Sequence, residues 1–402
     1  MKNTIEITKH SNRLPVALWA LTVSIFAIGT TEVVMIGLLT TIADDLLIGV
    51  STAGWIVTSY AIGVAIGGPF VTAFTSGIPR KKLLLAIMLL FIVSNAMATF
   101  SSNFLTLIMG RVLSGVAHGV FVGIGANIAS SLVSKDKRAI AIAIMFTGLT
   151  VAMVTGVPIG TYIGQHFGWR YTFGGISIIG VICFFANYLL LPREIQMGTP
   201  INITYQLKVL KSKSILLGFS LTLFSFAALF GTFTYLSPLL ETISGFSVDR
   251  ITLILLLYGF FVALGNMIGG KWSNTDPAKV LFRLFTLLAV IFTLMYFLLP
   301  FKVATLLLVA AMGFLGFATV PGMQLYVIRL AEKHLKGAED VCSVLNISAF
   351  NIGIAIGSYL GGVIISSSLG LQSIALMSTA FALIAVIFAI ISIKTENNHF
   401  KN

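Results

Sequence analysis

The sequence predicts an all-α integral membrane protein whose twelve transmembrane helices form two pseudo-symmetric six-helix bundles. Three observations lead there: scarce charge, the length and number of the apolar runs, and an internal repeat. Of 402 residues, 57% are hydrophobic and 9% charged, with a mean hydropathy of +1.02. A soluble domain carries about 25% charged residues. So few charges cannot cover a water-facing surface of this size, and lipid must be the main solvent.

Taken in order, residues 1–13 are polar and basic and read as a cytoplasmic tail. The apolar run after them is too long for a signal peptide. A spanning helix needs roughly 17–25 mostly apolar residues. Runs of that kind lie at about 14–39, 51–74, 82–100, 104–132, 139–163 and 171–191. A more polar linker follows at 192–213, and then runs at about 214–240, 250–272, 280–299, 303–330, 341–366 and 371–393. The tightest junctions turn at Ser101–Asn103 and Pro300, and 394–402 forms a second tail. The expected domains are therefore 14–191 and 214–393.

Lys and Arg placement orients the helices. With the N-terminus inside, 21 of the 25 basic residues fall on the cytoplasmic side; Arg170, Arg250 and Lys302 fall outside and Arg111 within a span. That asymmetry is the positive-inside pattern and predicts both termini in the cytoplasm. It also accounts for the net charge of +12 without nucleic acid.

The repeat appears in the glycines. Gly63, Gly67 and Gly68 of the second span recur as Gly265, Gly269 and Gly270 in the eighth. Gly156, Gly160 and Gly164 of the fifth recur as Gly353, Gly357 and Gly361 in the eleventh. Parallel six-helix halves mark one large class of secondary transporter. Glycines four apart let helix backbones approach closely; they either serve packing alone or let helices five and eleven slide during transport. Gly265–Lys271 mimics a phosphate-binding loop, but Trp272 stands where a hydroxyl is required and no strand precedes it.

Ionisable groups inside spans are costly and point to function. Glu32 is the clear intramembrane carboxyl, placed about seven residues from the outer end of the first helix, and Arg111 lies at matching depth in the fourth. The two are expected to pair. His118 follows Arg111 by two helical turns, so Arg111, Ser114/Gly115 and His118 form a stripe towards one cavity. Apolar surroundings favour a neutral carboxyl and a nearby cation a charged one. Glu32 is therefore the candidate carrier of a coupling proton, tuned by Arg111, with His118 as a third candidate; a purely structural Glu32–Arg111 pair is the competing reading. Asn127, Gln324, Asn346 and Asn351 are candidate cavity residues, equally able to serve as interhelical hydrogen bonders. Cys183 and Cys342 stand alone, so neither a disulfide nor a metal site is expected. An enzyme would need clustered His, Asp, Glu or Cys within spans, which the sequence does not offer.

The segments Gly29-Thr30-Thr31-Glu32-Val33, Pro79-Arg80-Lys81-Lys82, Arg111 to Gly119 and Thr155-Gly156-Val157-Pro158-Ile159-Gly160 carry a resemblance. They resemble the major facilitator superfamily, within it the bacterial drug:proton antiporters, and most nearly the arabinose-efflux-permease-like sugar, purine-nucleoside and chloramphenicol exporters. The resemblance implies a monomer of the bacterial inner membrane that uses no cofactor beyond the proton gradient. It would export small neutral or amphipathic solutes in exchange for protons. Gly156, Pro158 and Gly160 would correspond to the antiporter motif, with Gly353 and Gly357 as their repeat, and Arg80, Lys81 and Lys82 to the cytoplasmic gate loop. That basic run can also meet lipid headgroups or helix C-termini. A proton-independent facilitator of sugars or nucleosides stays open as the alternative.

Overall fold

The computed structural model describes residues 15–71, 74–75, 78–134, 137–193, 195 and 203–399. The expected tail 1–13 and most of 194–202 lie outside the described residues. Every described element is helical. Twelve helices are long and apolar enough to cross a membrane: α1 (Val16–Val33), α2 (Val50–Val71), α3 (Arg80–Thr99), α4 (Phe104–Ser131), α5 (Ile140–Phe167), α6 (Trp169–Leu190), α7 (Lys213–Thr234), α8 (Val248–Ser273), α9 (Pro277–Leu298), α10 (Lys302–His334), α11 (Val341–Ser366) and α12 (Leu371–Thr395). The expected number of spans is met. The face where α1 begins, α6 ends, α7 begins and α12 ends is called the linker face below, and its opposite the distal face.

One boundary is corrected. The first span was expected to end near Leu39, but after a bend at Val34 the chain stays helical over Met35–Asp45. Met35, Ile36, Leu38, Leu39, Ile42 and Ala43 are buried there, and packing carries the helix through Thr40 and Thr41. The turn at Ser101–Asn103 forms as expected, with the Asn103 side chain accepting from the Thr106 N–H at 2.9 Å.

Among the described residues there are three wide π-turns, two within spans at Gly67–Val71 and Ala152–Gly156 and one between α7 and α8 at Leu239–Ile243. A proline sits within or beside each, at Pro69, Pro158 and Pro238. Proline has no N–H to give the carbonyl four residues back, and at Pro158 that carbonyl, of Val154, falls inside the wide turn.

The two halves pack by the same scheme. In the first, α1 lies on α5 and α6, α2 on α4, and α3 on α4 and α6. In the second, α7 lies on α11 and α12, α8 on α10, and α9 on α10 and α12. The glycine rows explain the close approaches. A Cβ on Gly156 would stand 2.3 Å from Thr30 Oγ1 of α1, and one on Gly357 would stand 2.3 Å from the Ala227 carbonyl of α7. Both rows therefore pack inside their own half. Across the halves, α2 meets α11 and α5 meets α8.

The distal face is where the halves lock together. Ser237 Oγ donates to the Ile36 carbonyl at 2.6 Å, Ser366 Oγ to Ser51 Oγ at 2.7 Å, and Thr252 Oγ1 to Gln165 Oε1 at 3.0 Å. Trp55 meets Tyr359 edge-on at 5.2 Å, and His166 Nε2 lies 3.2 Å from Asp249.

Candidate functional site

The polar residues of the first half converge where α1, α2, α3 and α4 meet. Small residues bring them together. A Cβ on Gly115 would lie 2.1 Å from the Tyr60 carbonyl, and one on Gly67 would lie 2.6 Å from Val116 Cα. Backbones this close press Tyr60 of α2 between Arg111 and His118 of α4.

Arg111 is 1% exposed and does not pair with Glu32. Its Nη1 donates to the Thr31 carbonyl at 2.8 Å and to Thr31 Oγ1 at 3.4 Å, and its Nε to the Ile56 carbonyl at 3.2 Å. Its guanidinium carbon sits 4.2 Å from the Tyr60 ring centre, a cation–π contact. Nη2 has no hydrogen-bond partner among the described residues. Thr31 in turn donates to Asn95 Oδ1 at 2.7 Å, and Asn95 Nδ2 donates to the Phe91 carbonyl at 2.8 Å. The expected pair is thus replaced by backbone carbonyls and an aromatic face. The depth estimate behind it also changes: Glu32 lies thirteen residues before the end of the Met35–Asp45 extension, about 20 Å along the helix.

Glu32 faces His118 instead, with Oε2 3.8 Å from Nδ1 and 18% of its side chain exposed. That is too long for a hydrogen bond. The same Nδ1 lies 3.0 Å from the Tyr60 hydroxyl, which also reaches the Ile28 carbonyl at 3.5 Å. The stripe Arg111–Gly115–His118 therefore packs against α1 and α2 and does not line an open cavity. A carboxyl, an imidazole and a phenol in this order can hold a proton and hand it along. The fixed guanidinium supplies positive potential nearby.

The other candidates spread over both halves. Asn346 is fully buried and spent on neighbours: Thr222 Oγ1 donates to its Oδ1 at 2.7 Å, and its Nδ2 to Gln324 Oε1 at 2.8 Å. Gln324 also reaches Ser343. Asn351 is buried with its Oδ1 unpartnered among the described residues. Asn127 is exposed and bonds only the Gly123 carbonyl one turn earlier, among the described residues. Lys81 of the gate loop stays inside its own half, donating to the Tyr188 and Leu191 carbonyls at 2.8 and 2.6 Å. Lys82 is exposed. No cluster of metal-binding side chains occurs among the described residues.

Two tyrosines escaped the sequence reading. Tyr60 holds the Arg111–His118 face, and Tyr258, which takes the place of Ile56 at the repeat's offset of 202 residues, has its carbonyl 3.0 Å from a Cβ on Gly313, the residue in the place of Arg111. The Tyr258 ring stacks on Phe233 at 4.3 Å, and its hydroxyl has no partner among the described residues.

Residues 21–338 match the family described as Major Facilitator Superfamily. The chain is 50% identical over 355 residues to the uncharacterized MFS-type transporter YtbD of Bacillus subtilis (strain 168), covering 88% of this chain and 89% of that one. It is 31% identical over 362 residues to the chloramphenicol resistance protein of Streptomyces lividans, covering 89% and 91%. The crystal structure of a D-xylose-proton symporter superposes with a TM-score of 0.76 over 92% of this chain and 96% of that one. At 15% identity, that likeness is one of fold.

Proposed function

On the premise that the chain belongs to the Major Facilitator Superfamily and is a transporter, not an enzyme, we propose that it exports small neutral or amphipathic organic solutes in exchange for protons. It works by alternating access in the bacterial cytoplasmic membrane, as a monomer with both ends inside and no cofactor. The observation that carries this reading is Glu32: a partly exposed carboxyl within a span, 3.8 Å from His118 and without an ion pair to Arg111. A carboxylate locked to an arginine has little reason to exchange its proton. One that faces an imidazole, itself bonded to a phenol, is free to gain and lose its proton.

The aromatic second half supports the solute class. Phe226 meets Phe350 edge-on at 4.3 Å, Phe233 stacks on Tyr258, and the only buried polar groups left free beside them among the described residues are the Tyr258 hydroxyl and Asn351 Oδ1. Apolar walls with a few polar groups suit uncharged, amphipathic ligands. The Streptomyces relative's name adds chloramphenicol to a panel of sugars and nucleosides to test.

The test is Glu32→Gln in proteoliposomes loaded with a pH-sensitive dye. In the parent protein, a transported solute drives proton movement. The variant is expected to keep solute exchange at equal concentrations while losing the proton signal. Proton movement surviving in the variant removes Glu32 from the coupling step. A parent protein that carries solute with no proton signal makes it a facilitator.

A further inference from the structure

We propose that a cavity on the linker face, between the start of α3 and the end of α6, binds the phosphate of an anionic phospholipid headgroup. It measures about 670 Å³ and is lined by Arg80, Lys81, Lys82 and Arg193, with Tyr188 and Leu189 on its apolar wall. None of the described residues lining it is acidic; Glu194 lies outside the described residues.

Arg80 makes this more than a basic patch. It is 3% exposed, yet neither Nε nor Nη1 has a hydrogen-bond partner among the described residues. A buried guanidinium without an anion is costly, and the ion that relieves it must come from the cavity it lines. Lys81 is already spent: its Nζ caps the last carbonyls of α6 and lies 5.6 Å from the Tyr188 ring centre. It closes one wall and leaves Arg80, Lys82 and Arg193 for the ligand. Guanidinium forks match phosphate oxygens geometrically.

A lipid is favoured over a free anion by what flanks the cations. Tyr188 and Leu189 are 55% and 74% exposed on a helix with only 28% of its span buried inside the protein. That flank faces acyl chains while the basic residues face the headgroup layer. The linker face also carries most of the Lys and Arg, which under the positive-inside pattern places it at the anionic leaflet.

Native mass spectrometry of the full-length protein, with phosphatidylglycerol or phosphatidylcholine added, tests this. The parent protein is expected to retain phosphatidylglycerol preferentially. Arg80→Gln and Arg193→Gln should each lower that occupancy about fivefold, the typical effect of one basic residue at an anionic surface. Arg283→Gln, an exposed charge on the other half, should leave it unchanged. Because Arg193 is exposed, its variant keeps the test open even if Arg80→Gln folds poorly. Equal losses in all three variants would mean diffuse attraction and overturn the site. Unchanged occupancy in Arg80→Gln would mean that Arg80 does not hold the headgroup, and would also overturn it. Inorganic phosphate that saturates the parent and expels the lipid would reassign the cavity to a soluble anion.

Discussion

The distal lock makes a sharp prediction at Gly54. Its backbone is ordinary helix, φ −55° and ψ −26°, so alanine there carries no conformational strain. The obstacle is steric and belongs to the other half: a Cβ would lie 1.9 Å from the Tyr235 hydroxyl and 2.8 Å from its Cζ. Tyr235 cannot step aside cheaply, being fully buried with its hydroxyl donating to the Ser358 carbonyl at 2.7 Å. Either that bond breaks or the halves part. Overpacking of this kind costs about 1–3 kcal/mol. When the halves rock open at the distal face, Gly54 and Tyr235 separate and the cost disappears. Gly54→Ala should therefore shift the closed-to-open equilibrium by roughly 5- to 150-fold towards distal-open. A Ser51→Cys/Ser366→Cys pair reports the closed state, since the two hydroxyl oxygens are 2.7 Å apart. Its disulfide should form correspondingly more slowly in the Gly54→Ala background. Gly357→Ala is the control: its clash, 2.3 Å from the Ala227 carbonyl, lies within one half, so stability falls while the cross-linking rate holds. If both backgrounds slow equally, or if Gly54→Ala matches the parent rate, the distal contact does not set the equilibrium.

Two further outcomes follow from the polar contacts. Arg111→Lys keeps the charge but cannot reach both the Thr31 and Ile56 carbonyls; transport should fall at least tenfold and thermal stability by about 2 kcal/mol, and parental transport would reduce Arg111 to a mere charge. At the distal corner, the Arg170 side chain, with Trp169 second, holds the Asp45 carboxyl below its ordinary 3.8. That stabilisation is full above about pH 3.8 and fades as pH falls through the lower folded value. Exposure keeps it under ~1 kcal/mol. The melting-temperature gap between parent and Asp45→Asn should be present at pH 7 and narrow as pH falls below 3.8; a gap that stays constant in acid assigns the effect to something other than the ion pair.

Much of the architecture was readable because membrane insertion obeys one-dimensional rules. Apolar run length and basic loops mark the spans, and glycines four apart mark the helix pairs that touch. The site was less readable. Depth along a helix suggested that Glu32 and Arg111 would pair, but depth says nothing of azimuth, and the extension to Asp45 changed the depth itself. Backbone carbonyls, which no side-chain pattern announces, took the guanidinium. Asn346 looked like a ligand contact for the same reason: its partners Thr222 and Gln324 lie far away in sequence.

The repeat also explains why the two halves can differ in task while sharing a frame. In each, a glycine on the fourth or tenth helix presses the carbonyl of a tyrosine on the second or eighth. Over Tyr60 sits the Arg111 guanidinium at 4.2 Å; over Tyr258 sits the Phe233 ring at 4.3 Å. At the 202-residue offset that relates Gly63 to Gly265, Gly313 stands in the place of Arg111 and Tyr258 in that of Ile56, so the second half has a glycine where the first has its cation. A cation keeps its polar surroundings ordered through hydrogen bonds, whereas a stacked ring leaves the tyrosine hydroxyl unpartnered among the described residues. Proton chemistry in the first half and solute contact in the second is the division of labour this substitution favours. It requires the variants to separate: changes at Tyr258 should alter which solutes are carried, while changes at Glu32 should alter only what drives them.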